Sequence, residues 1–136
     1  MRRVLFDTNV ILDVALKREL FFQEAAELFL LIDAEKISGQ ITATTVTDIY
    51  YISRKEMGHE SSINFIVDLI KIVEVIGIDK AIILSAFQSK IVNLEDATQE
   101  EASLNNYVDT IITRNKKDFK GMIKVLTPKE FLSELK

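Results

Sequence analysis

Short apolar runs alternate with segments of helical spacing along this chain, and no tight-turn signal joins two runs into a hairpin. Consecutive strands separated by helices run parallel, because a parallel connection needs a crossover of a dozen or more residues. The first run, Val4-Leu5-Phe6, stops at Asp7-Thr8-Asn9 and reads as a buried strand turning into a helix. From about Phe21 to Glu35, the residues Phe22, Ala25, Ala26, Phe29, Leu30 and Ile32 share one face of a second helix. Gly39 introduces a weak strand at Ile41-Thr42-Ala43, and Val46, Ile49, Tyr50 and Ile52 resume helical spacing up to Gly58, a C′ glycine. A helix from about Ser61 to Ile72 and a β-branched strand from Val73 to Ile78 follow. Asp79 caps a helix that buries Ile82, Ile83, Ala86 and Phe87, and a polar helix runs from Asp96 to about Leu104. Val108 to Thr113 is a core strand and Ile123 to Leu126 an edge strand. Thr127-Pro128-Lys129-Glu130 is a capping box that opens the closing helix. The fold class expected is α/β, a three-layer α/β/α sandwich on a small, mainly parallel, doubly wound sheet. Such sheets bind ligands beyond the carboxyl ends of the strands, where strand order reverses.

Composition narrows the chemistry. The 136 residues are one domain's length, so residues 1–136 are expected to carry one active site. Without cysteine there are no disulfides, thiolate zinc sites or cysteine nucleophiles, and the one histidine, His59, is the only route to a Ser-His-Asp triad. A metal must be held by oxygen, which favours Mg²⁺ or Mn²⁺. Asp7 cuts the apolar stretch behind Arg2-Arg3 after three residues, so neither a signal peptide nor a membrane anchor fits and a cytoplasmic location is expected. The net charge of −4 counts against binding nucleic acid by bulk electrostatics, but not against a catalyst with a local basic patch.

Four acids stand out by position among the 21 acidic residues. Asp7 ends the first strand, Asp48 lies in the first turn of the helix after the second, Asp96 starts the helix before the fourth, and Asp118 is in the loop after it. On a doubly wound sheet all four can face one crevice. Aspartate also favours helix starts for capping alone, and Thr45-Val46-Thr47-Asp48 and Asp96-Ala97-Thr98-Gln99 both read as capping boxes. Asp118 alone reads equally as a solvated loop residue. Asp7 is different, because an acid ending a buried strand carries a desolvation cost that structural roles rarely need. Clustered carboxylates repel and raise one another's pKa, a penalty that a divalent cation removes.

Four blocks carry a family resemblance: Val4 to Leu12, Thr44 to Ile52, Leu94 to Gln99, and Ile112 to Phe119. In their order and separation they resemble PIN-domain proteins, most closely the VapC-like toxin ribonucleases of bacterial toxin-antitoxin systems. The resemblance covers nearly the whole chain. It implies a PIN-like fold and a metal-dependent ribonuclease that leaves a 5′-phosphate and a 3′-hydroxyl. Its catalytic acids would be Asp7, Asp48, Asp96 and Asp118, and Asp7, Asp96, Asn115 and Asp118 would attend Mg²⁺ or Mn²⁺. Either Asn115 or Asp118 faces the ion. Asn9 would steady Asp7, with the Thr8 hydroxyl nearby. Many such toxins have glutamate where this chain has Asp48, one methylene shorter, which implies contact through water. RNA is the implied substrate, with a small antitoxin protein and a second copy of the chain as partners.

Arg114, Lys116, Lys117 and Lys120 surround Asn115 and Asp118 and form the expected RNA-binding patch, which Arg54 and Lys55 extend. A solvated basic loop is the plain alternative. Tyr50, Tyr51 and Tyr107 read first as core or interface aromatics and second as base-stacking groups. His59 reads as a helix-boundary residue, and Asp109 falls on the wrong strand edge for the site. The Phe21, Phe22, Phe29 and Leu30 stripe reads as core before interface. Two other classes compete: a receiver-type phosphoacceptor domain, which shares the length and an aspartate after strand one, and a catalytically inactive PIN fold that binds RNA or a protein. A haloacid-dehalogenase-type phosphatase is disfavoured, because Asn9 stands where its second aspartate belongs.

Overall fold

The computed structural model describes residues 1–119 and 121–135. In chain order its elements are β1 (Arg2–Phe6), α1 (Thr8–Ala15), α2 (Phe22–Asp33), β2 (Ile37–Thr42), α3 (Ala43–Met57), α4 (His59–Ile72) and β3 (Glu74–Ile76). There follow α5 (Lys80–Phe87), α6 (Leu94–Asn105), β4 (Thr110–Ile112), a 3₁₀ turn (Lys116–Asp118), β5 (Lys124–Leu126) and α7 (Pro128–Leu135). The five strands form one sheet in the order β3-β2-β1-β4-β5, and every neighbouring pair is parallel.

Strand alternation divides the core. Val4 and Phe6 of β1 face a layer built by α1, α2, α3, α4 and α7, whereas Leu5 between them faces α5 and α6. β4 repeats the division, with Ile112 on the first side and Ile111 on the second. The result is the expected α/β/α sandwich.

Several boundaries differ from the sequence expectation. β2 begins at Ile37, and Gly39 lies inside it instead of ahead of it. A β-carbon there would come within 2.8 Å of both the Phe6 ring and Ile32 Cδ1, so glycine marks a close approach and not a turn. Ala43 opens α3 because the Thr42 hydroxyl caps the helix, accepting from Thr45 N at 3.3 Å, and Asp48 therefore falls in the second turn. α6 starts at Leu94 because Asn93 Oδ1 accepts from Asp96 N at 3.1 Å. On α2 the buried stripe is Ala25, Leu28 and Ile32, while Leu30 is 67 % exposed. On α5 it is Ile82 and Ala86, while Ile83 and Phe87 face outward. The Asp79 cap and the Thr127/Glu130 capping box form as expected, the latter with paired bonds of 2.9 and 3.1 Å.

The chain leaves β1 toward β2 on one side and returns through α5 and α6 to place β4 on the other. The reversal of strand order therefore lies beside β1, and the crevice opens at its carboxyl end.

Candidate active site

Because Phe6 pairs with Ile112, the next residues, Asp7 and Thr113, emerge side by side at the carboxyl edge of the sheet. Asp7 is 7 % exposed. Its Oδ1 accepts from Thr8 N at 2.8 Å and from Gln99 Nε2 at 3.1 Å, and its Oδ2 accepts from Thr113 Oγ1 at 2.7 Å. These donors offset the withdrawal of the carboxylate from water and hold it in one orientation. A carboxylate has about four acceptor sites, so roughly one remains for a ligand.

Asp7 borders a cleft of about 360 Å³ that brings Asp7, Asp48, Asp96, Asn115 and Asp118 together. Glu95 and Asn93 line the same cleft. Neither Asp48 nor Asp96 caps a helix: Thr42 and Asn93 do so, which leaves both carboxylates without a capping role.

The acids disturb one another. Glu95 is pushed up to about 7, first by withdrawal of its carboxyl from water at the cleft wall, although its outer atoms stay exposed. A hydrogen bond with Asp48 and the charges of Asp48, Asp7 and Asp96 add to the shift. Asp96 is pushed up to about 6 by partial burial and by the charges of Asp7 and Asp118. Two chain segments far apart in sequence thus act on one carboxyl.

An oxygen-only donor set of this sort suits a hard divalent cation, whose charge would relieve the repulsion. Among the described residues, no three carboxylates or histidines converge into a ready-made metal cage.

Thr8 and Asn9 also line the cleft, and several expected site residues make further contacts. The Thr8 hydroxyl lies 2.9 Å from that of Thr45, joining α1 to α3. Asn9 Oδ1 accepts from Arg18 Nη1 at 3.4 Å, and the side-chain hydrogen bonds to Asp7 come from Gln99 and Thr113. The Arg114 guanidinium pairs with the buried Asp13, with Nε 2.9 Å from Oδ2, and lies 4.0 Å from the Phe21 ring centre. Arg114 thereby fastens the site loop to α1. Lys116 pairs with Glu130 at 2.9 Å. Lys117 is exposed and has no ion pair among the described residues. Lys120 lies outside the described residues.

Arg54 stacks at 5.6 Å on both Tyr50 and Tyr51. His59 Nδ1 is 2.7 Å from the Tyr50 hydroxyl at the α3/α4 boundary. Asp109 accepts from Arg3 N at 2.7 Å, toward the amino edge of the sheet, as expected. Tyr51 and Tyr107 are exposed at 60 % and 85 %, not core.

Sequence reasoning missed Glu95, Gln99 and Thr113. Thr113 carries the signal that singled out Asp7, a polar residue directly after a buried strand. Gln99 is three positions after Asp96 and shares its helix face.

A family model described as PIN domain matches residues 3–117. The chain belongs to the PIN-domain family. The match takes in Asp7, Asp48, Asp96 and Asn115, and Asp118 falls one residue beyond it. This PIN domain is similar to the DNA-bound VapBC of Salmonella typhimurium, with a TM-score of 0.73 and 17 % identity over 94 % of this chain and 99 % of that one. A toxin-antitoxin complex from Klebsiella pneumoniae gives 0.70 and 24 % over 92 % and 97 %. VapC20 of Mycobacterium tuberculosis, a sarcin-ricin loop cleaving toxin, gives 0.65 and 12 % over 79 % and 86 %. These likenesses establish the fold. No curated protein sequence matches the chain significantly.

The receiver reading fails on topology. Receiver sheets have the order 2-1-3-4-5, whereas this sheet has 3-2-1-4-5 and its third strand leads into Gly77-Ile78 with no acid at its end. Among the described residues, no helix is long and apolar enough to cross a membrane.

Proposed function

We propose that this PIN domain is a ribonuclease dependent on Mg²⁺ or Mn²⁺, acting as the toxin of a toxin-antitoxin pair. The observation that carries the reading is Asp7, fixed by three donors at the strand-order reversal and sharing one cleft with Asp48, Glu95, Asp96 and Asp118.

Asp7 and Asp96 are the principal holders of a divalent cation, with Asn115 and Asp118 completing the far side. Such an ion, when bound, lowers the pKa of water and offsets negative charge on a phosphoryl oxygen. The chain's own contribution is orientation. The clamp on Asp7 leaves one acceptor direction open. Glu95, its carboxyl raised to about 7 by burial and by its hydrogen bond with Asp48, forms with Asp48 the wall along which an attacking water is aligned. Glu95 also brings a longer side chain to the wall where Asp48 is a methylene short. Attack in line forms a bond from water oxygen to phosphorus and breaks the bond to O3′, leaving a 5′-phosphate and a 3′-hydroxyl. An antitoxin partner is proposed because several structural neighbours are toxin-antitoxin complexes.

The test is cleavage of single-stranded RNA by the purified chain. Mn²⁺ or Mg²⁺ supports cleavage, EDTA stops it, and Asp7→Asn and Asp96→Asn each lower it at least about a hundredfold. Undiminished activity in both variants overturns the mechanism. A wild-type chain that binds RNA without cutting it supports the inactive, binding-only alternative.

A further inference from the structure

The acid cleft does not end at Asp118. It continues into a second trough of about 640 Å³ between the α5–α6 loop and the 3₁₀ turn, and the two share Asn93 and Asp118. Lys90 on one side and Lys117 on the other line this trough. Neither lysine has an ion pair among the described residues. On the opposite flank of the cleft the cations are held in ion pairs, Arg114 with Asp13, which also takes Arg18, and Lys116 with Glu130. The trough's floor also carries apolar surface, with Val92 wholly exposed and Leu94 45 % exposed.

An acidic cleft on a chain of net charge −4 repels a polyanion, so a substrate strand needs uncompensated cations along its exit. We propose that single-stranded RNA runs from the acid cleft into this trough, where Lys90 and Lys117 hold backbone phosphates flanking the cleaved one and Val92 and Leu94 support a ribose or base. The inference rests on the reading of the chain as an RNA-cleaving enzyme. It keeps Lys117 of the expected patch and moves the RNA path from the Arg114/Lys116 flank to the α5–α6 loop, where Lys90, Val92 and Leu94 stood outside that expectation.

The test measures binding apart from cleavage. Fluorescence anisotropy of a labelled single-stranded RNA is read with the Asp7→Asn chain in Mn²⁺ across a salt series. Adding Lys90→Gln and Lys117→Gln weakens binding roughly tenfold and reduces the slope of log K against log salt by about 1.4, some 0.7 per lost phosphate contact. Lys71→Gln, at the opposite edge of the sheet, leaves binding as it was. In the cleaving chain, the Lys90/Lys117 pair of changes raises KM with kcat nearly kept. Both lysines are exposed, so the variants retain the fold, which circular dichroism verifies. Unchanged affinity and slope in the double variant overturn the trough, as does loss of binding in Lys116→Gln and Lys129→Gln instead, which routes the strand over α7. If the wild-type chain binds RNA but never cuts it, the nuclease reading falls and the trough is still decided by these variants. Absence of RNA binding by every form overturns both.

Discussion

Asp7 keeps its orientation through partners that do little else. Gln99 is fully buried, and while its Nε2 donates to Asp7, its Oε1 has no hydrogen-bond partner. An unpartnered buried carbonyl costs about 1–3 kcal/mol. Gln99→Leu removes that cost together with the donor, so the expected outcome is a thermal midpoint that is unchanged or higher with a cleavage rate lower by roughly tenfold, one charge-assisted hydrogen bond's worth. Equal loss of stability and rate would mean that Gln99 acts only as packing. The raised acids give a second expectation. A carboxyl raised in the folded state binds more protons folded than unfolded, so its contribution to stability declines as pH rises from about 4 to about 7. Glu130, lowered first by the Thr127 backbone N–H and then by Lys116, and Glu134, lowered by Lys124, act in the opposite sense, losing stabilisation as pH falls. The measurement is therefore differential: Glu95→Gln and Asp96→Asn flatten the decline of the melting temperature between pH 5 and 7.5 relative to wild type. By the same linkage, Mn²⁺ binding tightens as pH rises through 6 to 7 and releases protons, read calorimetrically in buffers of different ionisation enthalpy. A proton count of zero sinks that assignment.

At the level of elements, the order of strands and helices was legible because periods of two and 3.6 residues leave different marks on a sequence. The capping boxes at α5 and α7 were legible for the same local reason. Boundaries were not, where a tertiary contact decided them. Gly39 reads as a turn residue until Phe6 and Ile32 are known to lie against it. Gly39→Ala is expected to destabilise the fold by about 1–3 kcal/mol through overpacking, measured by urea denaturation, and a neutral result would show that Ile32 and Phe6 can move aside. The basic run around Asn115 shows the same limit. Its charges were visible, but the buried Asp13 that takes Arg114, 101 residues away, was not. Asp48, Asp96 and Asp118 were chosen for strand and helix ends, and Asp48 faces the cleft even though its helix begins earlier than its neighbours implied.

The whole molecule explains why the site could be anticipated in outline and not in detail. A parallel sheet that reverses strand order beside β1 sends every loop that follows β1 and β4 to one edge, so polar residues at those strand ends meet whatever lies between them in sequence. Which donor holds which oxygen depends on the register of Phe6 against Ile112, and no local pattern encodes that pairing. Glu100, buried on α6, adds a further long-range tie, its Oε1 accepting from Met122 N at 2.7 Å just past the site turn. The hydrogen bond between Asp7 and Thr113 has a further consequence for how the protein is made. Its partners are 106 residues apart, at the first strand and after the fourth. Asp7 is synthesised 106 residues ahead of Thr113, so its clamp and the Asp118 side of the cleft do not exist until that stretch has followed. A partly translated chain carries the conspicuous Asp-Thr-Asn sequence without an assembled cleft, so the RNA cleavage proposed above would be absent until Thr113 and Asp118 have been added and folded against it.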